Sequence, residues 1–375
     1  MNLQRRRQPP RRRRRLPLSA SAAPALLVTL ALAIPACDSP ADSTSSGGGG
    51  SGASGGTTAS GGNGGSSAGG NGGNGGSSAG GNGGSSNGGN GGSGGAPGSP
   101  NCAIPPGAAD LITEGIPAPG LVCTRYPYPL VSPRDVVETA DGHIFVSEFG
   151  AGRIVELTGS GFVTLAEGLA APIGLREENA TSLLVTEEGQ HSLSRIHRTT
   201  GARTQVAGGL NQATYLARGP DGAAYVSSFQ ELADTKKGVV WRVDLTTGST
   251  LPFTTGTNVT EGLFFDPEGQ LFVAEWLLPS AVYRFPPAGG PLAAATQVAD
   301  GFSNIYGLAG DTSGGFYAGD HAGKITHIAE DGTKTDLLTN IGRPGGIWVA
   351  KNGDLLVAEF VEFGKTGYLL RIEGL

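Results

Sequence analysis

The stretch Gly262-Leu-Phe-Phe-Asp-Pro-Glu-Gly-Gln-Leu-Phe-Val-Ala-Glu275 decides the fold of this 375-residue chain. A short apolar run reaches a Glu268-Gly269 turn, whose glycine supplies the positive φ of a tight hairpin, and a second apolar run ends in an acid. Five other segments align with it without gaps. The apolar residue at the centre of the second run is, in chain order, Val146, Val185, Val226, Val273, Ala318 and Val357. A repeat of 39 to 47 residues indicates a solenoid or a propeller array.

Each repeat predicts four short strands. The two runs form strands A and B of a hairpin, an alternating segment such as 281–285 forms strand C, and a segment that ends in a Gly-apolar pair forms strand D. The chain ends three residues after the last strand C, so the last repeat lacks a strand D. The segment 121–130 precedes the first strand A and supplies that strand, which removes an open sheet edge. The sequence therefore predicts an all-β fold, a six-bladed β-propeller of four-stranded antiparallel blades whose N-terminal strand closes the C-terminal blade.

The N-terminal hundred residues predict export and tethering. Residues 1–36 have an arginine-rich start and a short apolar core, as a signal peptide does, and Ile34-Pro-Ala-Cys37 resembles the bacterial lipobox, in which the cysteine is lipidated. We expect a lipidated mature N-terminus over 37–43, a disordered Gly/Ser/Asn linker over 44–100 and the propeller over 101–375. The predicted location is the cell envelope, with the chain lipid-anchored to a bacterial membrane and the propeller extracytoplasmic, in the periplasm or at the cell surface.

Two cysteines remain after Cys37, and both lie near the start of the propeller. An exported domain is in an oxidising compartment, where paired cysteines form disulfides. We therefore expect a disulfide between Cys102 and Cys123.

The charge distribution argues against a nucleic-acid partner. The chain has 26 Lys and Arg against 32 Asp and Glu, and eight of the arginines lie within residues 5–15 of the signal peptide. The mature chain is therefore strongly acidic, whereas phosphate contacts need clustered basic side chains. The lipid anchor is the only expected contact with the membrane.

The repeat unit, Gly-aliphatic followed by Asp-Gly-x-aliphatic-aromatic-Val-Ala-Asp/Glu, resembles those of the NHL, SMP-30/gluconolactonase and streptogramin-lyase-like propellers. The resemblance covers residues 121–375, and the matching residues are those that build blades, so it is specific for architecture. It implies a functional site at one mouth of a central channel. In SMP-30-like lactonases the channel supplies ligands to a divalent cation, and streptogramin-type lyases use a His and Glu constellation with a metal.

The resemblance places the residue before each strand-A glycine position at this channel mouth. The six residues are Arg134, Ile173, Thr214, Glu261, Tyr306 and Gly345. Glu261 is the one candidate among them for a Ca²⁺ or Mg²⁺ ligand, and a hard cation needs several oxygen ligands. The other interpretation of Glu261 is a carboxylate that is solvated or paired with Arg134.

The ends of strands B supply further candidates at the same face. An acidic ring consists of Glu148, Glu187, Glu275, Asp320 and Glu359, with Ser228 in the third repeat. The acidic ring has two interpretations. In the first it binds a cation or a sugar, and in the second its carboxylates accept hydrogen bonds from backbone N–H groups of neighbouring loops. Beside the ring, Trp276 and Phe360 either stack on a ligand or pack between loops. Asp320 and His321 are the candidate acid/base pair, although adjacent strand residues point to opposite sides.

The favoured hypothesis is a membrane-tethered extracytoplasmic β-propeller that binds a small molecule, glycan or protein at its channel face without catalysis. Its ligand-binding candidates are Arg134, Thr214, Glu261, Tyr306, Glu275, Trp276 and Phe360. The alternative is a divalent-cation-dependent SMP-30-like lactonase or hydrolase, or a streptogramin-lyase-like enzyme, with a diverged site.

Overall fold

The structure is a computed structural model that describes residues 101–108, 112–230, 236–362 and 364–375. The predicted signal peptide, the lipidated segment with Cys37 and the linker lie outside the described residues. The strands in chain order are β1 (Ile116–Pro117), β2 (Val122–Arg125), β3 (Leu130–Val131), β4 (Pro133–Glu138), β5 (Ile144–Glu148), β6 (Arg153–Thr158), β7 (Gly161–Ala166), β8 (Pro172–Asn179), β9 (Ser182–Glu187), β10 (Ser192–His197), β11 (Arg203–Ala207), β12 (Ala213–Arg218), β13 (Ala224–Ser228), β14 (Gly238–Val243), β15 (Thr250–Thr257), β16 (Thr260–Phe265), β17 (Leu271–Glu275), β18 (Ser280–Phe285), β19 (Gly290–Pro291), β20 (Thr296–Phe302), β21 (Ile305–Gly310), β22 (Phe316–Asp320), β23 (Lys324–Ile328), β24 (Lys334–Thr339), β25 (Arg343–Val349), β26 (Leu355–Phe360) and β27 (Thr366–Glu373).

These strands form six sheets, each of which is one blade with four antiparallel strands. Blade 1 is β4–β7, blade 2 is β8–β11, blade 3 is β12–β15, blade 4 is β16–β18 with β20, blade 5 is β21–β24 and blade 6 is β25–β27 with β2. The inner strand of every blade contacts the inner strands of both neighbouring blades, so the inner strands form a closed ring. The predicted all-β, six-bladed propeller is confirmed.

The N-terminal strand closes the last blade, as predicted. Strand β2 pairs antiparallel with β27, with Val122 opposite Glu373 and Cys123 opposite Ile372, and β3 pairs with the start of β27. Two very short strands were not expected from the repeat: β1 extends the outer edge of blade 5, and β19 runs parallel to β15 of blade 3.

The hydrophobic core lies between the faces of adjacent blades. Between blades 1 and 2, for example, Val137 and Phe145 pack against Leu175 and Leu183. All six central anchors of the repeat are fully buried. The predicted disulfide is present and buried, with a Cα–Cα distance of 4.7 Å between Cys102 and Cys123, and it lies in the cluster that joins blades 5 and 6.

The strand-A glycines let neighbouring inner strands approach closely. A Cβ atom on Gly262 would lie 2.2 Å from the Tyr306 carbonyl oxygen of the next blade, and one on Gly307 would lie equally close to the Gly345 carbonyl oxygen. The repeated glycine is therefore a packing requirement of the ring.

Helical structure in the described residues is confined to two three-residue 3₁₀ turns, Glu188–Gln190 and Leu292–Ala294. Within these residues we find no helix of the length and apolarity that crossing a membrane requires.

Candidate functional site

The starts of the six inner strands meet at one mouth of the central channel, where the sequence predicted them. The side chains of Arg134, Ile173, Thr214, Glu261 and Tyr306 are all buried, as is Gly345. The blade architecture therefore brings charged and polar side chains into a site that is almost closed to solvent.

Arg134 lies among three aromatic rings. Its guanidinium carbon is 4.5 Å from the ring centroid of Phe360, 4.9 Å from that of Phe149 and 5.0 Å from that of Tyr306. These are cation–π distances, and such contacts strengthen when they are desolvated. Burial disfavours the charge, but Tyr306, Tyr215 and Glu261 act in the opposite direction and the pKa of Arg134 is raised.

Tyr215 crosses the channel from blade 3 to blade 1. Its hydroxyl donates a hydrogen bond of 3.2 Å to the Arg134 carbonyl oxygen, and its side chain is 1% exposed. Tyr215 stands at a position where four other repeats have glycine, so this bulky side chain at the ring centre is specific to blade 3.

Glu261 is buried at 5% exposure, and its Oε2 atom has no hydrogen-bond partner among the described residues. Burial raises the pKa of Glu261 well above its usual range; the Arg134 charge lowers it in part, and Glu188 raises it further. The raised pKa favours the protonated form of this buried carboxyl group, and its unused oxygen is available for a hydrogen bond with a ligand.

Two further buried polar atoms at this mouth have no partner among the described residues, His321 Nε2 and Trp276 Nε1. The His321 ring lies 4.0 Å from the Tyr306 ring and 5.6 Å from the Phe360 ring, and Trp276 lies 6.2 Å from Tyr306. Burial, with the charges of Arg134 and Arg343, lowers the pKa of His321 to about 2. The imidazole is therefore neutral.

We define the mouth cluster as Arg134, Phe149, Glu188, Glu261, Trp276, Tyr306, His321 and Phe360.

Thr214 was also predicted at the mouth, but its hydroxyl already has protein partners. It hydrogen-bonds the Ser227 hydroxyl at 2.8 Å and donates to the Thr260 carbonyl oxygen at 3.0 Å. Thr214 therefore joins blades 3 and 4, and its assignment to ligand binding stays a prediction.

The acidic ring at the ends of strands B has a repeated structural role. Each carboxylate accepts a hydrogen bond from the backbone N–H of the residue 17 positions earlier, and the pairs are Val131–Glu148, Ala170–Glu187, Asn258–Glu275, Ser303–Asp320 and Gly342–Glu359. Ser228 reverses the polarity, because its hydroxyl donates to the Asn211 carbonyl oxygen at the same spacing. The acidic ring thus fixes the loop that enters each blade. This agrees with the interpretation that its carboxylates accept backbone N–H bonds from neighbouring loops.

This role separates the candidate acid/base pair. The Asp320 carboxylate accepts bonds from the N–H groups of Ser303 and Ala322, whereas the His321 ring lies in the mouth cluster. No hydrogen bond or ion pair joins these two described side chains.

Glu188 also lies at the mouth, where the repeat pattern did not place it. It begins the 3₁₀ turn directly after strand β9, one residue beyond the acidic ring, and it interacts with Arg134 and Glu261. Burial raises its pKa, while Arg134 and His191 lower it. The sequence signal for Glu188 was its position directly after Glu187, as the second of two adjacent acids in Thr-Glu187-Glu188-Gly.

The described residues do not assemble a cation cage. In that part of the chain no group of three or more His, Cys, Asp or Glu side chains is placed to hold a metal ion. Glu261 and Glu188 lie beside the positive Arg134, and Glu275 and Asp320 are bonded to backbone N–H groups. The residues at the mouth do not match the several oxygen ligands that Ca²⁺ or Mg²⁺ takes in proteins.

No protein-family model matches the chain, and no curated protein matches it. Among solved structures, a gluconolactonase from Xanthomonas campestris is 16% identical, with a TM-score of 0.56 over 70% of this chain and 90% of that chain. The calcium-binding protein regucalcin from Agrobacterium tumefaciens is also 16% identical, with a TM-score of 0.55 over 66% of this chain and 92% of that chain. A streptogramin B lyase is 14% identical, with a TM-score of 0.51 over 68% and 97% of the two chains. Likeness at such identities concerns the fold and not the chemistry. The chain therefore has the six-bladed β-propeller fold that gluconolactonase-like and streptogramin B lyase-like proteins share.

Proposed function

We propose that the mouth cluster binds a small cyclic molecule that carries several hydroxyl or carbonyl oxygens, such as a sugar or a sugar lactone. One observation carries the proposal: Glu261 Oε2, His321 Nε2 and Trp276 Nε1 are buried at one mouth without a protein partner. Native proteins rarely leave buried polar atoms unsatisfied, so three together support a bound ligand that satisfies them.

The chemistry of these atoms favours a neutral polyhydroxylated ring. Trp276 Nε1 only donates, a protonated Glu261 both donates and accepts, and the neutral His321 ring does either according to its tautomer. Hydroxyl groups match this mixture because each one donates and accepts. The rings of Tyr306 and Phe360 complement the apolar faces of a sugar ring. The gluconolactonase that shares the fold makes sugar lactones the first compounds to try.

The test is calorimetric titration of the protein with D-glucose and D-glucono-1,5-lactone. We expect binding of at least one of them, and we expect Glu261→Leu to weaken it about tenfold or more, because a ligand hydroxyl then loses its partner in a buried site. Glu261→Gln keeps a donor and an acceptor, so it should retain most of the affinity. Glu268→Gln, on an exposed turn of the same blade, is the matched control. No binding of any compound, or equal binding by Glu261→Leu, would contradict the proposal.

The raised pKa of Glu261 also gives a folding control. The folded state holds this proton more tightly than the unfolded state, whose pKa is near 4.5. The stabilising contribution of Glu261 is therefore complete below that pH and is lost as the pH rises. Glu261→Leu should remain folded, and its melting temperature relative to the wild type should increase from about pH 5 to pH 8. Weak ligand binding by this variant is then not a consequence of unfolding.

A divalent-cation-dependent lactonase is the alternative function. It is supported by the shared fold with a gluconolactonase and with calcium-binding regucalcin, and by the buried Glu261 carboxyl group. The same calorimetric titration with CaCl₂ and MgCl₂ separates the two functions. Cation binding that Glu261→Leu abolishes, with lactone hydrolysis that depends on the cation, would favour the alternative.

We also propose that the propeller is anchored in a bacterial cell envelope by lipid on Cys37, which rests on the sequence of residues 1–37 alone. The wild-type protein expressed in a bacterial host should enter the detergent phase of a Triton X-114 partition, whereas Cys37→Ala should stay in the aqueous phase. Ser43→Ala is the control and should partition as the wild type does. Wild-type protein in the aqueous phase would overturn this proposal.

A further inference from the structure

The central channel has a second opening, opposite the mouth cluster. There the far ends of the inner strands of all six blades surround an open cavity of about 410 Å³. Its wall includes Glu138, four residues beyond Arg134 on strand β4, which corresponds to roughly 13 Å along an extended strand. This far cavity is thus separate from the mouth cluster, and its volume is in the range of small-molecule sites.

One arginine on the wall of the far cavity has an unused donor. Arg218, at the end of strand β12, has a buried Nη1 atom without a hydrogen-bond partner among the described residues. A second arginine, Arg176, already donates to the Asp135 carboxylate at 2.6 Å and lies over the Trp348 ring at 5.3 Å. Arg218 is therefore the cation that remains for a ligand.

The carboxylates near the far cavity are bound by other groups. Glu138 accepts the N–H of Lys351 at 2.8 Å, and Glu177 accepts the N–H of Ala140 at 2.7 Å. Glu178 interacts electrostatically with Arg218, but its two oxygens pair with Arg195. None of the three forms a hydrogen bond with the described Arg218 side chain.

The remainder of the wall is apolar and aromatic. Phe264, Phe265 and Trp348 are half-buried and line the far cavity, with Leu263 and Ile347 beneath them. Neighbouring rings hold the phenylalanines in place: Phe264 stacks on Phe272 at 4.6 Å, and Phe265 meets the edge of Tyr225 at 4.7 Å. Fixed rings beside one arginine with an unused donor match a flat apolar molecule with one negative charge.

We propose that the far cavity is a second ligand site, which takes a small aromatic carboxylate with its ring against Phe264 and Trp348 and its carboxylate on Arg218. One unused arginine donor matches one carboxylate, and a cavity of about 410 Å³ has room for one or two fused rings. The far cavity shares no side chain with the mouth cluster, so this site does not depend on the function proposed above.

The test uses 2-naphthoate, with 2-naphthylmethanol as its neutral analogue, and follows binding by calorimetry. We expect the wild type to prefer the carboxylate about tenfold or more, and we expect Arg218→Met to lose that preference while retaining the alcohol. Arg284→Met, on the third strand of blade 4 and outside the cavity lining, should keep the wild-type preference. Equal affinity of the wild type for both compounds, or an unchanged preference in Arg218→Met, would overturn the proposal.

Fluorescence locates the site independently. The chain has three tryptophans, and Trp348 is the one on the cavity wall. Naphthoate should quench the tryptophan emission of the wild type, and Trp348→Phe, which keeps an aromatic ring, should lose most of the quenching while still binding. Quenching that persists in Trp348→Phe would place the bound naphthoate elsewhere and would refute the assignment.

Discussion

Arg125→Met should lower the free energy of unfolding by about 3–5 kcal/mol, because it leaves the Glu359 carboxylate buried without its cation. Arg125 Nε and Nη2 each donate a 2.8 Å hydrogen bond to one Glu359 oxygen, and both side chains are fully buried. The same guanidinium also donates to the carbonyl oxygens of Cys102, Ala103 and Thr113. Arg125 therefore fixes the N-terminal segment to the last blade at the point of ring closure.

Urea denaturation of the oxidised protein measures this effect. Arg242→Met is the matched control, because its ion pair with Asp221 is about one-third exposed on both sides and should contribute less than about 1 kcal/mol. The double variant Arg125→Met/Glu359→Leu should recover much of the loss, since removing both charges leaves no buried ion unpaired. A loss below about 1 kcal/mol for Arg125→Met alone would show that this pair does not hold the closure.

Gly262→Ala should destabilise the propeller by about 1–3 kcal/mol, since the new methyl group overpacks the inner ring. The added Cβ atom would lie 2.2 Å from the Tyr306 carbonyl oxygen and 2.8 Å from the Leu308 nitrogen, and both are backbone atoms that cannot rotate away. Relief of this clash requires a backbone shift that displaces Tyr306. Ligand binding at the mouth cluster should therefore weaken together with the loss of stability.

Thermal and urea unfolding of Gly159→Ala provide the comparison. Gly159 lies in an exposed turn, and an added Cβ there meets no atom within 4 Å. If the two alanine variants unfolded at the same urea concentration, the close approach of neighbouring inner strands would not be a constraint on the sequence.

The architecture was predictable from the sequence because it depends on local, repeated signals. The alternation of apolar residues, the turn at Glu268-Gly269 and the recurring anchors such as Val273 each act within one blade. Ring closure was also predictable, because the last repeat ends after strand C and 121–130 is a strand without a partner in its own repeat. The short strands β1 and β19 carry no such signal, since each has two residues and includes a proline.

The site was only partly predictable, because its contacts join distant parts of the chain. The position of Glu261 followed from the repeat, but its unused oxygen depends on how six blades meet. The pairing of Arg125 with Glu359 spans 234 residues, and nothing near either residue indicates it. For the acidic ring, the sequence left two interpretations open, and only the hydrogen bonds of each loop distinguish them.

Ring closure has a consequence for the order of folding. Because Cys123 pairs with Ile372, the first and last strands of the propeller meet only after almost the whole chain has been synthesised. Until then β2 lacks its partner strand, and contacts of such long sequence separation form slowly. A molecule truncated before Thr366 has no strand for β2 to join, so loss of the last ten residues removes the closure of all six blades together.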